Sequence, residues 1–323
     1  DRKGNRVATL DYPQVVTSWD RMYQSLRRLI SDDAYRMGAV LEGYVEDDTG
    51  VTLQFADGSQ DRADLLVGAD GFRSAVRAKV LPEIQPEFSG YVVWRALAQE
   101  SALDPDLRNA IFDVFGLFIP TGTQIVGYPI AGEGNDLREG HRRYNFVWYA
   151  PVSENELQDM LTDATGTRHE ISIPPPLVRD EVLRNVGEKA AELLPEVFAR
   201  ILEKGERPFF TPIYDHLSPV FAKGRVALAG DAACVARPHV GMGVTKAAQD
   251  ALALAAHLSA KPVVEALAAY SDERVPASRL AFERSRLLGR YIFAEPESGD
   301  NRDGAHNPNM DEIMRITASA DFP

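Results

Sequence analysis

Two stretches of this chain carry an apolar, β-forming run into a glycine–acid turn and then into a helix. The first is Asp64-Leu65-Leu66-Val67-Gly68-Ala69-Asp70-Gly71, with a helix start over 74–80. The second is Arg225-Val226-Ala227-Leu228-Ala229-Gly230-Asp231, with a loop to Gly243 and a helix from Val244. A short strand without polar alternation is buried on both faces, as in parallel sheets. A carboxylate just past the C-terminal end of such a strand sits where open α/β sheets bind ligands. The two stretches lie about 160 residues apart, so a sheet domain that holds both is discontinuous in sequence.

The rest of the chain divides around them. Trp19, Met22, Leu26, Leu29 and Ile30 recur at helical spacing behind Ser18 as N-cap. Strand-like runs follow at 39–45 and 51–55, with turns at Asp47-Asp48-Thr49-Gly50 and Asp57-Gly58. Pro82 and Pro86 flank a non-periodic crossing over 81–89. Beyond it, strand formers gather at 91–98, 112–119, 124–130 and 144–150, the last alternating as an antiparallel strand with unlike faces does. Helices are expected at 154–161, 176–186, 190–204 and 263–288. A Gly/Asn/Pro-rich segment at 295–308 and a short terminal helix close the chain.

Charge and cysteine usage narrow the partners. The 323 residues carry 35 Lys+Arg against 48 Asp+Glu, a net charge of −13. A phosphate-tracking surface needs clustered cations, so nucleic acid and anionic membrane are not expected partners. The most apolar helical stretch, 251–258, is short and contains His257, so no membrane span is expected. Cys234 is the single cysteine, which excludes an internal disulfide framework and suits a reducing compartment. No His/Cys/carboxylate group has metal-ligand spacing, and no metal is expected. The opening segment 1–13 begins at Asp and lacks targeting character.

The second stretch continues Ala232-Ala233 and then Arg237-Pro238-His239-Val240-Gly241-Met242-Gly243. Asp231 can accept hydrogen bonds from sugar-like hydroxyls, and Gly230 lets a ligand approach the backbone. Gly241 and Gly243 precede a long helix, whose first N–H groups and positive dipole end suit an anionic partner. This block resembles the second FAD-binding motif of the single-component flavin monooxygenases, the p-hydroxybenzoate hydroxylase family. Residues 64–77 resemble that family's Asp-Gly motif. Gly90-Tyr91-Val92-Val93-Trp94-Arg95, Asn145-Phe146-Val147-Trp148-Tyr149 and Arg237-Pro238-His239 look most like its dihydroxypyridine hydroxylases.

The resemblance implies an α/β fold, with a Rossmann-like FAD/NAD(P)-binding domain and a sheet-based substrate domain. The cofactor domain would take 1–80 and 216–260, the substrate domain 85–215, and C-terminal helices and tail 261–323. The implied activity is aromatic hydroxylation: NAD(P)H reduces FAD, dioxygen forms a flavin hydroperoxide, and oxygen transfers to an electron-rich phenol or hydroxypyridine ring. A small aromatic substrate, dioxygen, a cytoplasmic setting and frequent homodimers come with that family. Asp231 and Gly230 would meet the ribityl chain, and Gly241, Met242, Gly243 and Val244 the pyrimidine edge. Pro238 would lie beside the ring where dioxygen reacts. Asp70 and Gly71 would meet the ribose and diphosphate region, Arg73 and Arg77 phosphate or nicotinamide nucleotide, and the backbone at Val40 and Leu41 the adenine. His239 and Arg95 are the expected substrate contacts.

The chain departs from the family at one place. The strand, Gly-x-Gly-x-x-Gly turn and helix that seat the FAD diphosphate are absent, since Gly132-Glu133-Gly134 runs into Asn135-Asp136-Leu137 in a loop. The chain is therefore expected to start downstream of that unit. Cys234 also stands where many relatives carry His.

Structural roles compete at each position. Asp231 suits a helix N-cap or turn, Asp70-Gly71 is a common turn dipeptide, and Arg73 and Arg77 suit a solvated helix face. Arg95 on a strand calls for a partner, either a carboxylate of the chain or an anionic substrate. Two further readings stand beside the hydroxylase: a related flavin oxidoreductase such as an epoxidase or halogenase, and a flavin-free fragment acting as a binding module.

Overall fold

The computed structural model describes residues 1–12, 15–120, 122–290, 313–315 and 317; the Gly/Asn/Pro-rich segment expected at 295–308 lies outside them. The chain forms two compact units, one from Asp1–Ile30, Ser89–Ile213 and Arg290–Met314, the other from Ser31–Phe88, Tyr214–Gly289 and Arg315–Pro323.

The first unit is built on a sheet. With strands numbered along the chain, β5 (Glu87–Gln99), β6 (Gly116–Phe118), β7 (Gln124–Ile130), β8 (Arg143–Pro151) and β9 (Phe209–Leu217) lie in the order β9-β5-β8-β7-β6. The β5–β8, β8–β7 and β7–β6 pairs are antiparallel. Alternation then sorts the side chains onto two faces. One face carries Trp94 and Trp148 as directly opposed partners. Trp94 meets Phe210 with ring centroids 5.2 Å apart, and the Trp148 indole donates to Thr123 Oγ1 at 2.7 Å. Around the sheet run α3 (Pro105–Ile111), α4 (Glu154–Met160), α5 (Asp180–Leu193) and α6 (Glu196–Lys204), with α6 packed on β8.

Three local expectations differ from what forms. The run 112–119 yields only β6, because Pro105 at the first helical position opens α3 and Phe112 ends it. The helix expected from 176 starts at Asp180, after a 3₁₀ turn at Pro175–Leu177. The strand β9 is not among the expected ones. Pro212 sits inside it and lacks an N–H for the ladder, which lowers its local strand signal.

Residues 1–30 also group with this unit, not with the cofactor domain as expected. The Arg2 guanidinium donates to the Glu192 carbonyl, and Asn135 Nδ2 donates to Gln24 Oε1 at 3.3 Å. The helix α1 (Trp19–Arg27) forms behind Ser18, whose hydroxyl accepts from the Arg21 N–H at 3.2 Å, yet it buries no residue.

The second unit holds two small sheets. β1 (Leu41–Asp47), β2 (Gly50–Phe55) and β3 (Gln60–Ala63) form an antiparallel meander. β4 (Leu66–Gly68) and β11 (Val226–Leu228) pair in parallel, with β10 (Ala222–Lys223) antiparallel to β11. The two-residue β12 (Cys234–Val235) pairs with Leu217 and His216 at the end of β9. Three helices complete the unit: α2 (Ala75–Val80), α7 (Gly243–Ala260) and α8 (Val263–Arg290). Val76, Val226, Leu228, Leu254, Leu267 and Tyr270 are buried together in its core. Residues 263–289, expected to stand apart as C-terminal helix, therefore belong to this unit, because α8 supplies part of the core around β11.

Gly68 sets the spacing of helix and sheet at the first turn. A Cβ there would lie 2.7 Å from Val76 Cβ and 3.1 Å from Leu228 Cδ2. Gly68→Ala is expected to overpack this contact and destabilise the unit by about 1–3 kcal/mol, read from its urea-unfolding midpoint. A midpoint equal to wild type would show that α2 can move away freely.

Candidate cofactor site

Parallel pairing of β4 and β11 brings both glycine–acid turns to the same edge. Val226 is paired with Leu66 and Leu228 with Gly68, and the Ala229 N–H donates to the Gly68 carbonyl at 3.0 Å. The chain leaves β4 through Gly71 at φ 77° and β11 through Gly230 at φ 60°, left-handed conformations that favour glycine.

At the first turn the Asp70 carboxylate is already committed. It accepts from the Ser74 hydroxyl at 2.5 Å and from the Ala75 and Val76 N–H groups at 2.7 and 3.2 Å, holding the start of α2. A ligand there meets the backbone of Asp70 and Gly71. Arg73 is exposed. Arg77 corrects the expectation of a solvated or phosphate-binding side chain, for it is 3% exposed. Its guanidinium donates to the Phe72 carbonyl at 2.7 Å and the Ala232 carbonyl at 3.2 Å, and it faces His216 Nε2 at 3.1 Å. It thus ties one turn to the other.

The second turn rests on α7. Asp250, fully buried, accepts from the Gly230 N–H at 3.0 Å. Lys246 donates to the Gly230 carbonyl at 2.8 Å and pairs with Asp250 at 3.2 Å, while Arg274 of α8 binds Asp250 at 2.8 Å. The Tyr270 hydroxyl reaches the Leu228 carbonyl at 2.8 Å. Asp231 itself is reachable by solvent but recessed among protein atoms. That desolvation raises its pKa, with the Lys246 ammonium opposing.

The loop leading to α7 is held from below. Arg237 donates its N–H to Ser285 Oγ at 3.0 Å and its Nε to Asp215 at 2.6 Å. Asp215, 1% exposed, also receives Arg286 at 2.6 and 2.9 Å. Pro238–Val240 form one 3₁₀ turn with His239 buried inside it. Burial, and then the Arg237 charge, pull the His239 pKa down to about 3, so its imidazole is neutral near pH 7. Gly241 turns the chain at φ 65°, and α7 begins behind Met242 with no side-chain cap. Gly241, Gly243 and Val244 are exposed while Met242 is buried. The first N–H groups of α7 therefore point to open space with the dipole behind them.

The structure brings Asp70, Gly71, Gly230 and Asp231 to one edge, and α7 runs directly against the Gly230 turn. Leu41 opens β1 and packs on the core, and among the described residues no hydrogen bond joins it to the turns. Arg95 lies in the other unit, on β5. Cys234 is buried and its thiol is pushed up to about 12, which leaves it inert packing. Sequence reading missed Asp215, Lys246, Asp250 and Arg274. The one available signal was Lys246 and Asp250, four apart on a helix. Among the described residues no His/Cys/Asp/Glu group is arranged to hold a metal, and no helix is long and apolar enough to cross a membrane.

A family model described as FAD binding domain-like matches residues 88–215. The chain is 33% identical over 253 residues to 2,6-dihydroxypyridine 3-monooxygenase of Paenarthrobacter nicotinovorans, covering 78% of this chain and 62% of the relative. It is 29% identical over 300 residues to 3-amino-4-hydroxybenzoate 2-monooxygenase of Streptomyces cremeus, covering 92% of this chain and 65% of that one. The chain thus spans less than two thirds of either relative. The structure of 2,6-dihydroxypyridine-3-hydroxylase from Arthrobacter nicotinovorans superposes with a TM-score of 0.80 at 28% identity, over 91% of this chain and 75% of that one. On this sequence and structural likeness the chain is similar to FAD-binding monooxygenases and shares their α/β fold.

Proposed function

We propose that the protein is an FAD-dependent monooxygenase that hydroxylates an electron-rich aromatic ring, of phenol or hydroxypyridine type, with NAD(P)H and dioxygen. One observation carries the reading: an exposed Asp231 past β11 and the uncapped start of α7 lie on the same turn-and-helix assembly. Their chemistry fits the ribityl and pyrimidine half of FAD, one as acceptor for hydroxyls and the other as N–H donor toward ring carbonyls. A Cβ built on Gly243 or on Gly71 meets nothing within 4 Å, so both turns leave room for a ligand. For the diphosphate half, no Gly-x-Gly-x-x-Gly turn is present in the sequence.

When bound, FAD supplies the redox and oxygen-activating chemistry. The chain's own contribution is placement and field. Asp231 would fix the ribityl chain, and Gly241, Met242, Gly243 and Val244 would present the α7 dipole to charge gathering on the pyrimidine edge. Pro238 and His239 would wall the ring. His239 is 1% exposed, so the structure encloses the side chain that was expected to meet substrate, and as a neutral imidazole it is no acid near pH 7. Asp70 and Gly71 would meet the ribose region through their backbone, with Arg73 exposed beside them for phosphate or nicotinamide nucleotide. A cytoplasmic setting and a homodimer belong to the same reading. The names of the two relatives, a dihydroxypyridine and an aminohydroxybenzoate monooxygenase, support the ring type.

The test is FAD uptake by the purified chain, followed by absorption after free cofactor is removed. Wild type is expected to hold FAD with shifted flavin bands. Asp231→Ala should weaken affinity about 10–100-fold with unchanged circular dichroism, as loss of hydrogen bonds to a charged group predicts. A colourless wild type would favour the binding module, and an Asp231→Ala protein that holds FAD equally well would remove Asp231 from the site.

A further inference from the structure

We infer that a cleft between α7 and α8, on the side of α7 turned away from its exposed start, binds a small monovalent oxyanion of carboxylate size. The inference does not rest on the hydroxylase reading.

Met242, Lys246 and Gln249 follow one another at helical spacing along α7, and Arg274, Ala277 and Ala281 do so along α8. These two faces enclose a cavity of about 60 Å³. One water needs about 10–15 Å³ of such space, so an ion of a few heavy atoms fits. Neither Asp231 nor Gly241, Gly243 or Val244 belongs to its wall, which separates it from the candidate cofactor site.

The polar part of the wall holds more donors than acceptors. Asp250 spends both carboxylate oxygens inside the clamp, Oδ2 on the Gly230 N–H and Lys246, and Oδ1 on Arg274 Nε. Lys246 gives two bonds, to the Gly230 carbonyl at 2.8 Å and to Asp250 at 3.2 Å, and an ammonium has three N–H groups. Arg274 Nη2 donates to Gln249 Oε1 at 3.2 Å, which takes up that amide oxygen. Arg274 Nη1 and Gln249 Nε2 donate to nothing among the described residues. Met242, Ala277 and Ala281 add apolar wall and no strong acceptor.

Charge points the same way. Two buried cations face one buried carboxylate, which leaves one positive charge in excess. Asp231 feels the Lys246 charge, but it is exposed and bonds neither cation. Glu273, beside Arg274 in sequence, pairs with His257 instead. An uncompensated buried charge is costly, so a monovalent anion in the cavity is stabilised by the whole cluster. The outer fork of a guanidinium with a neighbouring amide N–H suits a planar oxyanion better than a sphere.

The experiment follows fluorine NMR line widths of trifluoroacetate and of trifluoroethanol, its neutral counterpart, with the purified chain. Trifluoroacetate is expected to broaden and acetate to reverse the broadening, while trifluoroethanol stays narrow. Two variants leave the Lys246–Asp250–Arg274 bonds in place. Gln249→Glu supplies a carboxylate from the chain itself, and Ala277→Leu fills the cavity. Each should cut the acetate-reversible broadening at least threefold with native circular dichroism. Arg95→Gln, in the other unit, should leave it unchanged. Absence of broadening, equal broadening of the neutral probe, or broadening that survives in a folded Gln249→Glu protein would overturn the inference.

Discussion

Asp250→Ala is expected to destabilise the second unit by about 3–5 kcal/mol, the cost of breaking a buried ion pair by removing one partner. Asp250 is fully buried, and its two cationic partners, Lys246 and Arg274, are 3% and 8% exposed at the side chain. Alanine leaves both cations without their anion and the Gly230 N–H without its acceptor. The carboxylate holds the N–H of Gly230, next to Asp231, so the loss reaches the candidate cofactor site through Gly230. Asp250→Asn separates the two contributions. Its amide oxygen can still accept from Gly230, whereas the charge is gone, so its stability should fall between wild type and alanine. Urea unfolding of the second unit reads both variants. An alanine variant within 1 kcal/mol of wild type would mean that water reaches the two cations and that the cluster is not a buried clamp.

The cluster also shows where sequence reading stops. The turns were legible because each is local: an apolar run, a glycine and an acid within eight residues. Asp250 is not local. It sits in an alanine-rich helix where a lone acid suggests a solvated face, and its burial is decided by Arg274, on another helix. Arg77 is the same case. Its spacing on α2 suits exposure, and only the approach of Ala232 and His216 encloses it. Asp215 lies in β9, a strand whose signal Pro212 weakens, and both its arginines come from segments later in the chain. Residues 1–30 carry a clean amphipathic pattern, so the helix was foreseen. The pattern does not say which unit it joins, and α1 in fact leaves Trp19 71% exposed. Short-range pattern thus located the two turns, while the charges that brace them depend on contacts between distant segments.

Two of those distant contacts make stability fall with acid above the range in which the partner-held carboxylates are protonated. Burial comes first in lowering His216 to about 4, with the Arg77 charge adding to it, and burial with Arg237 lowers His239 to about 3. At His216 the Nε2 faces the Arg77 guanidinium at 3.1 Å, where a neutral ring can accept, and the Ala232 carbonyl at 3.4 Å, where it would donate. An unfolded histidine titrates near 6.5. Both folded values lie below this, so the neutral form favours the fold. Their contribution is complete above about pH 6.5 and is lost as pH falls toward the folded values. At pH 5 each histidine is about 1.5 units below its unfolded pKa and costs about 2 kcal/mol, or about 4 kcal/mol together. Carboxylates held low by their partners, such as Asp163 at about 2, begin to lose stability only near pH 4, while Asp231, raised instead, acts in the opposite sense, so the fall from pH 7 to 5 belongs to the histidines. Urea midpoints across that interval should therefore fall steeply in wild type, with uptake of about two protons on unfolding. His216→Gln and His239→Gln should each remove about one proton from that slope. A flat profile from pH 7 to 5, or an unchanged slope in the double variant, would show that these two rings are not the buried neutral groups on which the site's walls depend.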